Sequence, residues 1–170
     1  MKLGKSPGPD SILPEVLVYG GQTLKKFLFA LLTIFWITPV LPADLINPHL
    51  TILFKKGDRS DCGNYRGISL LSVVGKVLAN ILLQRLHFVL TDVYPDSQHG
   101  YWSARGTIDG IFTVRQLMEK TREQQFNLYI AFIDFTKAFD TVNGQLLFSL
   151  LEKSGCPPKL ISMLKCLYSL

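Results

Sequence analysis

Leu128-Tyr129-Ile130-Ala131-Phe132-Ile133-Asp134, continuing as Phe135-Thr136-Lys137-Ala138-Phe139-Asp140, is the stretch around which the rest of the chain arranges itself. Its first half is a nearly unbroken apolar and aromatic run. Being short and rich in β-favouring side chains, it reads as a buried strand rather than a helix. Such a run ends in a charge only where the chain reaches a rim or cleft, which predicts Asp134 at the C-terminal edge of a strand. A single carboxylate there can hold a divalent cation, because hard cations such as Mg²⁺ take one or two carboxylates together with waters and phosphate oxygens. The same residue can instead cap the turn into a following helix. Spacing alone leaves both roles open.

With 48% hydrophobic and 18% charged residues over 170 positions, the chain has the make-up of one domain with a real core, and a disordered class is excluded. A net charge of +5 and a pI near 9.2 permit an anionic partner such as nucleic acid without establishing one. Cys62, Cys156 and Cys166 form no CxxC pair and no Cys/His cluster, which predicts reduced thiols in an intracellular protein. The start, Met1 to Pro9, is polar and turn-rich and carries no secretory signal. The apolar run from Phe27 to Ile37 falls short of the ~20 residues of a membrane span and is followed by Pro39 and Pro42, so a buried helix is expected. The protein is therefore expected to be neither secreted nor transmembrane, with nucleus and cytoplasm not distinguished.

Outward from the organising stretch, Lys5-Ser6-Pro7-Gly8-Pro9-Asp10 predicts a loop, and Pro14 suits the first turn of a helix. A greasy helix is expected over about Gln22 to Ile37, stopping before Pro39. Leu50 to Phe54 reads as a strand entering the turn Lys55-Lys56-Gly57-Asp58-Arg59, and Asn64 to Leu71 begins a second extended piece. Lys55, Lys56, Arg59 and Arg66 place four cations within twelve residues. They form either a solvated basic hairpin or a grip on phosphate, which Arg can hold in bidentate fashion.

From Ser72 to about Leu90, apolar residues at Val73, Val74, Val77, Leu78, Ile81, Leu82 and Leu86 give a helix with one packed face and Ser72 as N-cap. After a loop around Pro95, Thr107 is expected to cap a helix to about Arg122 with Ile108, Ile111, Phe112, Val114 and Met118 on its inner side. His99, with no second ligand near it, reads as a surface or packing residue. Gly144 to Lys153 and Pro158 to Leu167 read as two helices split by Gly155-Cys156-Pro157-Pro158.

The segment Ala131 to Asp140 resembles the first catalytic motif of the reverse transcriptases of non-LTR (LINE-type) retrotransposons, roughly F-[IV]-D-[FL]-x-K-A-F-D. The resemblance extends along nearly all of the chain. Lys5 to Glu15 looks like the family's K-x-P-G-P-D-x-[IL]-x-x-E. Ile52 to Lys76 is similar to its block of K-K-G-D, N-Y-R-P-I-S-L-L-S and G-K, with Gly67 standing where Pro is usual, a change expected to loosen a loop while sparing Arg66. Gln98 to Thr107 resembles Q-x-G-F-R-x-x-R-[SG]-T, with Tyr101 for Phe and Trp102 for Arg. That last departure removes a cation from a segment expected to face the template. The C-terminal part resembles the palm helix that continues L-x-x-L-x-K-x-G-x-P-x-x-L.

What the resemblance implies is an α+β fold, a partial right-hand polymerase, mostly helical with a small antiparallel sheet. Residues 1–127 would be fingers-like and 128–170 the start of the palm. It implies RNA-directed DNA synthesis by two-metal nucleotidyl transfer to a primer 3′-hydroxyl, with an RNA template, a DNA primer and deoxynucleoside triphosphates as partners. No membrane and no small-molecule cofactor beyond the metal, Mg²⁺ or else Mn²⁺, are expected. Asp134 would be the catalytic metal ligand, helped by the backbone carbonyl of Phe135. Arg66, Arg105 and Lys55 would contact the nucleotide. Phe139 would press against the sugar 2′ position, or else simply pack in a core. Asp140 would be structural, capping the helix after it. The family's later aromatic-x-Asp-Asp motif does not occur in these 170 residues, so the isolated chain is expected to polymerise nothing. Two other readings stand beside this one: a non-catalytic nucleic-acid-binding fragment, and a poorly folding product of a degenerate element.

Overall fold

Alternating β-favouring side chains on either side of a Gly-Asp turn pair as antiparallel strands, and among the described residues this happens once. In the computed structural model β1 (His49–Phe54) runs against β2 (Tyr65–Leu70), with His49 opposite Leu70 and Phe54 opposite Tyr65. Residues 3–38, 40–135 and 137–168 are described. Pro39, the expected helix stop, and Thr136, within the organising motif, lie outside the described residues, as do Met1 and Lys2 of the polar start. About half of the chain is helical, in α1 (Pro14–Tyr19), α2 (Gly21–Ile37), α3 (Ala43–Ile46), α4 (Val73–Leu90), α5 (Thr107–Glu123), α6 (Gly144–Lys153) and α7 (Pro158–Tyr168).

The chain divides into two compact units, Met1–Val89 together with Phe148–Leu170, and Leu90–Leu147.

The first unit holds the hydrophobic core. On α4 the expected apolar face is buried at Val73, Leu78 and Leu82, and Ser72 caps it as predicted, its Oγ accepting from the Gly75 N–H at 3.1 Å. Leu45 of α3, Phe148 and Leu151 of α6 and four residues of α7, Leu160, Ile161, Met163 and Leu164, are also buried. The helix expected to be buried, α2, buries Phe35 alone among its described residues and leaves Phe27, Phe29, Ile34 and Ile37 exposed. Between α6 and α7 the chain reverses through Gly155 at φ +80°. The Gly155 N–H donates to the Glu152 carbonyl and the Cys156 N–H to that of Leu151. These two bonds satisfy carbonyls that a helix end would leave orphaned, and Pro158 then opens α7. Among the described residues α4 is the one helix long and apolar enough to cross a membrane by length and composition. Of its length 28% is buried within the protein.

The second unit departs from expectation in four ways. Residues 126–135 form no strand. A strand exists only as part of a ladder, and among the described residues the sheet consists of β1 and β2 alone, with no main-chain hydrogen bond to residues 127–135. The run expected to be buried is exposed, with Tyr129 at 89% and Phe132 at 87% of full exposure. On α5 the residues expected inside, Ile108, Ile111, Phe112 and Met118, are likewise exposed, and only Val114 is half-buried. The cap of α5 is Gly106 rather than Thr107. Gly106 is extended, and its N–H donates to Asp109 Oδ2 at 2.7 Å, the carboxylate reaching back over the first turn.

Candidate functional site

The hairpin of the first unit sorts its side chains by strand alternation. Lys55 N–H donates to the Asn64 carbonyl at 2.8 Å, extending the ladder one step past Phe54. Lys55 is therefore opposite Asn64, and Arg66 is opposite Leu53, so Lys55 and Arg66 lie on one face as diagonal neighbours. Both are exposed. The other face carries the Phe54 and Tyr65 rings, with centroids 5.4 Å apart and the Arg59 guanidinium 5.3 Å above Phe54. The Tyr65 hydroxyl donates to the Arg59 carbonyl at 2.8 Å and pins the turn. Asp58 accepts from the Ser60 N–H, which holds its carboxyl below the usual aspartate range. Gly67 sits inside β2 opposite Ile52, not in a loop, so its lack of a side chain loosens no turn. A Cβ there would come 3.0 Å from Leu50 Cδ1 on that second face.

The second unit carries the other motif residues. Asp134 and Phe135 lie in the exposed irregular segment, not at the edge of a strand. The next turn runs from Lys137, which takes φ +52°, to Thr141, whose N–H and hydroxyl both donate to the Lys137 carbonyl. Asp140 lies within this turn. The residue that caps α6 is Asn143 instead, its Oδ1 accepting from the Leu146 N–H at 3.0 Å. An Asn directly before the first residue of a periodic apolar segment is the signal that would have found it. Phe139 is exposed but not isolated. Its ring meets Tyr101, from the Gln98–Thr107 motif, at 5.9 Å in an edge-on arrangement.

Arg105 is the hub of its own loop. Nη1 donates to the carbonyls of Pro95, Asp96 and Gln98, and Nη2 reaches Asp96 Oδ1 at 2.9 Å. The guanidinium also stands 5.8 Å over the Trp102 ring, which packs against Tyr94 at 5.3 Å. Trp102, in place of a cation, thus helps to build this loop. His99 is half-buried, and its Cδ2 lies 3.4 Å from where a Cβ on Gly110 of α5 would stand, so it packs as expected.

No group of three or more His, Cys, Asp or Glu residues gathers around one point among the described residues. A carboxylate and a backbone carbonyl are both oxygen donors, the chemistry that a hard cation takes. The Asp134 carboxylate is exposed and makes no hydrogen bond or ion pair among the described residues.

Residues 54–169 match the protein family described as reverse transcriptase (RNA-dependent DNA polymerase). The chain belongs to that family. This reverse transcriptase sequence is 31% identical, over 99% of its length, to the transposon TX1 uncharacterized 149 kDa protein of Xenopus laevis. It is 33% identical, over 83% of its length, to the retrovirus-related Pol polyprotein from type-1 retrotransposable element R1 of Bradysia coprophila. Over 92% of its length it is 30% identical to the putative 115 kDa protein in the type-1 retrotransposable element R1DM of Drosophila melanogaster. These relatives are proteins of non-LTR retrotransposons. The chain spans 13%, 14% and 15% of their respective lengths.

Proposed function

We propose that this chain is the fingers (residues 1–127) and the beginning of the palm (residues 128–170) of a retrotransposon enzyme that copies RNA into DNA. The observation that carries this reading is Asp134: it ends the apolar run of the catalytic-type motif, and its carboxylate is exposed and uncommitted. Mg²⁺, or Mn²⁺ in its place, held there by Asp134 and the Phe135 carbonyl, would supply charge neutralisation at the attacking hydroxyl and the leaving pyrophosphate in a two-metal scheme. The chain's own residues do the positioning. Lys55 and Arg66 hold phosphate oxygens, and Arg105 acts through the loop it ties together. Phe139 closes on the sugar 2′ position and excludes a ribonucleotide by clash. Residues 128–134 serve as a strand in the longer protein, whose further carboxylates complete the site.

Addition of Mn²⁺ to the labelled protein tests the metal site, since a bound paramagnetic ion broadens nearby resonances. Selective broadening at Asp134 and Phe135, lost in Asp134→Ala, is the expected result, and uniform or absent broadening would sink it. In primer extension with Mg²⁺ and a primed RNA template, the 170 residues alone are expected to make no product. Template-dependent synthesis abolished by Asp134→Ala would overturn that second expectation while supporting the first.

The exposed cationic face of the hairpin favours one further reading, a non-catalytic nucleic-acid-binding module. Binding whose affinity falls steeply with added salt supports it.

A further inference from the structure

The segment Ser6–Ser11, one of the motifs the proposed chemistry leaves without a task, is seated on the corner where β2 passes into α4. Asp10 Oδ2 accepts from the Val73 N–H at 3.0 Å, a bond between residues 63 apart in sequence. Its Oδ1 accepts from the Ile12 N–H at 3.3 Å, so the carboxylate holds its own turn and the helix at once. The Ser11 N–H donates to the Gly8 carbonyl, and Ser11 takes φ +54°, a conformation held by these contacts rather than by its own preference. Lys76, on the first turn of α4, donates from Nζ to the Ser6 carbonyl at 3.0 Å. Gly8 lies so close to the main chain at Leu71 and Ser72 that a Cβ on it would collide with the Leu71 carbonyl. The corner beneath is among the least exposed parts of the protein, with Val73 at 1% and Ser72 at 3%.

The amides that open α4 are thus held from two directions, Val73 by Asp10 and Gly75 by Ser72. Only Leu71 and Ser72 separate this point from β2, the strand that carries Arg66. We propose that Asp10 is a positioning residue: it straps the β2–α4 corner and thereby sets the pose of the hairpin that presents Lys55 and Arg66 to phosphate. This rests on the phosphate-binding reading of the hairpin given above. Asp10 touches no substrate in this scheme and acts through the strand.

Inorganic tripolyphosphate, titrated into the full chain and followed by the backbone resonances of β2, is the probe. Asp10→Ala removes a negative charge, so simple electrostatics would tighten anion binding. The positioning role predicts the opposite, a loss of about fivefold or more, together with faster hydrogen exchange at the Val73 amide. Asp10→Asn keeps an acceptor oxygen and is expected to restore both. Gly8→Ala leaves every charge in place, lifts the loop from Leu71 and is expected to reproduce the loss, which keeps the test open if Asp10→Ala fails to fold. Unchanged or tighter binding in both Asp10→Ala and Gly8→Ala, with a matching melt, overturns the proposal. Arg66→Ala separates the two readings. If it leaves binding intact, the phosphate-binding reading falls and the proposal with it. If it weakens binding while Asp10→Ala and Gly8→Ala do not, the positioning role alone falls.

Discussion

The ring of Tyr101 meets the ring of Phe139 edge-on, with centroids 5.9 Å apart. The contact joins two motifs that are distant in sequence, and each partner stands in or beside a strained turn: Tyr101 has φ +58° and Lys137 φ +52°. Edge-to-face pairs contribute about 0.5–1.5 kcal/mol beyond area burial. Here both rings are largely exposed, at 86% and 73%, which puts this pair at the low end. A double-mutant cycle of Tyr101→Ala and Phe139→Ala in urea should give a coupling of roughly 0.5 kcal/mol. Strict additivity would mean that the rings are neighbours without being partners.

The hairpin makes a prediction that depends on which face a cation occupies. Lys55 and Arg66 share one face, while Arg59 lies over Phe54 on the other. For a primed RNA–DNA hybrid, Lys55→Ala and Arg66→Ala should each reduce the slope of log affinity against log salt by about 1. Arg59→Ala should leave that slope nearly unchanged. Equal effects from all three would show that the protein uses diffuse charge rather than an oriented face.

Where the sequence was legible, a local signal and a local partner coincided. The bounds of α6 follow from apolar residues at helical spacing and from Gly155 just past its end, and the hydrogen bonds that begin and end it are made within a few residues. The β1–β2 pair is legible for the same reason, because its partner strand lies one turn away. The apolar run before Asp134 is different. Its composition says that the side chains favour burial but not which element covers them, and most of the run stands exposed, outside any sheet among the described residues. The motif at Asp134 could be read as that of the reverse transcriptase family because it is a pattern of residue types. The bond that Asp10 makes to Val73 could not be read, since a bond spanning 63 residues leaves no local trace. Arg105 shows a further limit: its charge was legible, but not that four of its bonds go to its own loop.

Two carboxylates accept main-chain hydrogen bonds that protonation would weaken. Glu15 is held below the usual glutamate range chiefly by the Gly4 N–H, 2.6 Å from Oε1, and Asp58 below the aspartate range by Ser60. A carboxyl whose pKa is lower when folded than when unfolded contributes stability that is fully present above the unfolded pKa. That contribution is lost as the pH falls through the folded one. The amide resonances of Gly4 and Ser60 should therefore shift together as the pH is lowered from about 5 toward 3. Glu15→Gln should flatten the response at Gly4 alone, and Asp58→Asn that at Ser60 alone. A Gly4 response that survives Glu15→Gln would assign the bond to another group.

The exposed run from Leu128 to Phe135 carries the last prediction. Tyr129, Phe132, Ile133 and Phe135 present large apolar side chains, and the main chain from 127 to 135 has donors and acceptors without protein partners among the described residues. Unpaired backbone beside apolar side chains is a template for pairing with a second chain. The isolated protein should therefore self-associate as its concentration rises, seen by light scattering or sedimentation. Phe132→Lys and Ile133→Lys should each suppress this, because a buried pairing would force a charge out of water. Neither should lower the melting temperature, since both side chains are already exposed, at 87% and 79%. A monomer at all concentrations, destabilised by either substitution, would show instead that the run is covered within its own chain.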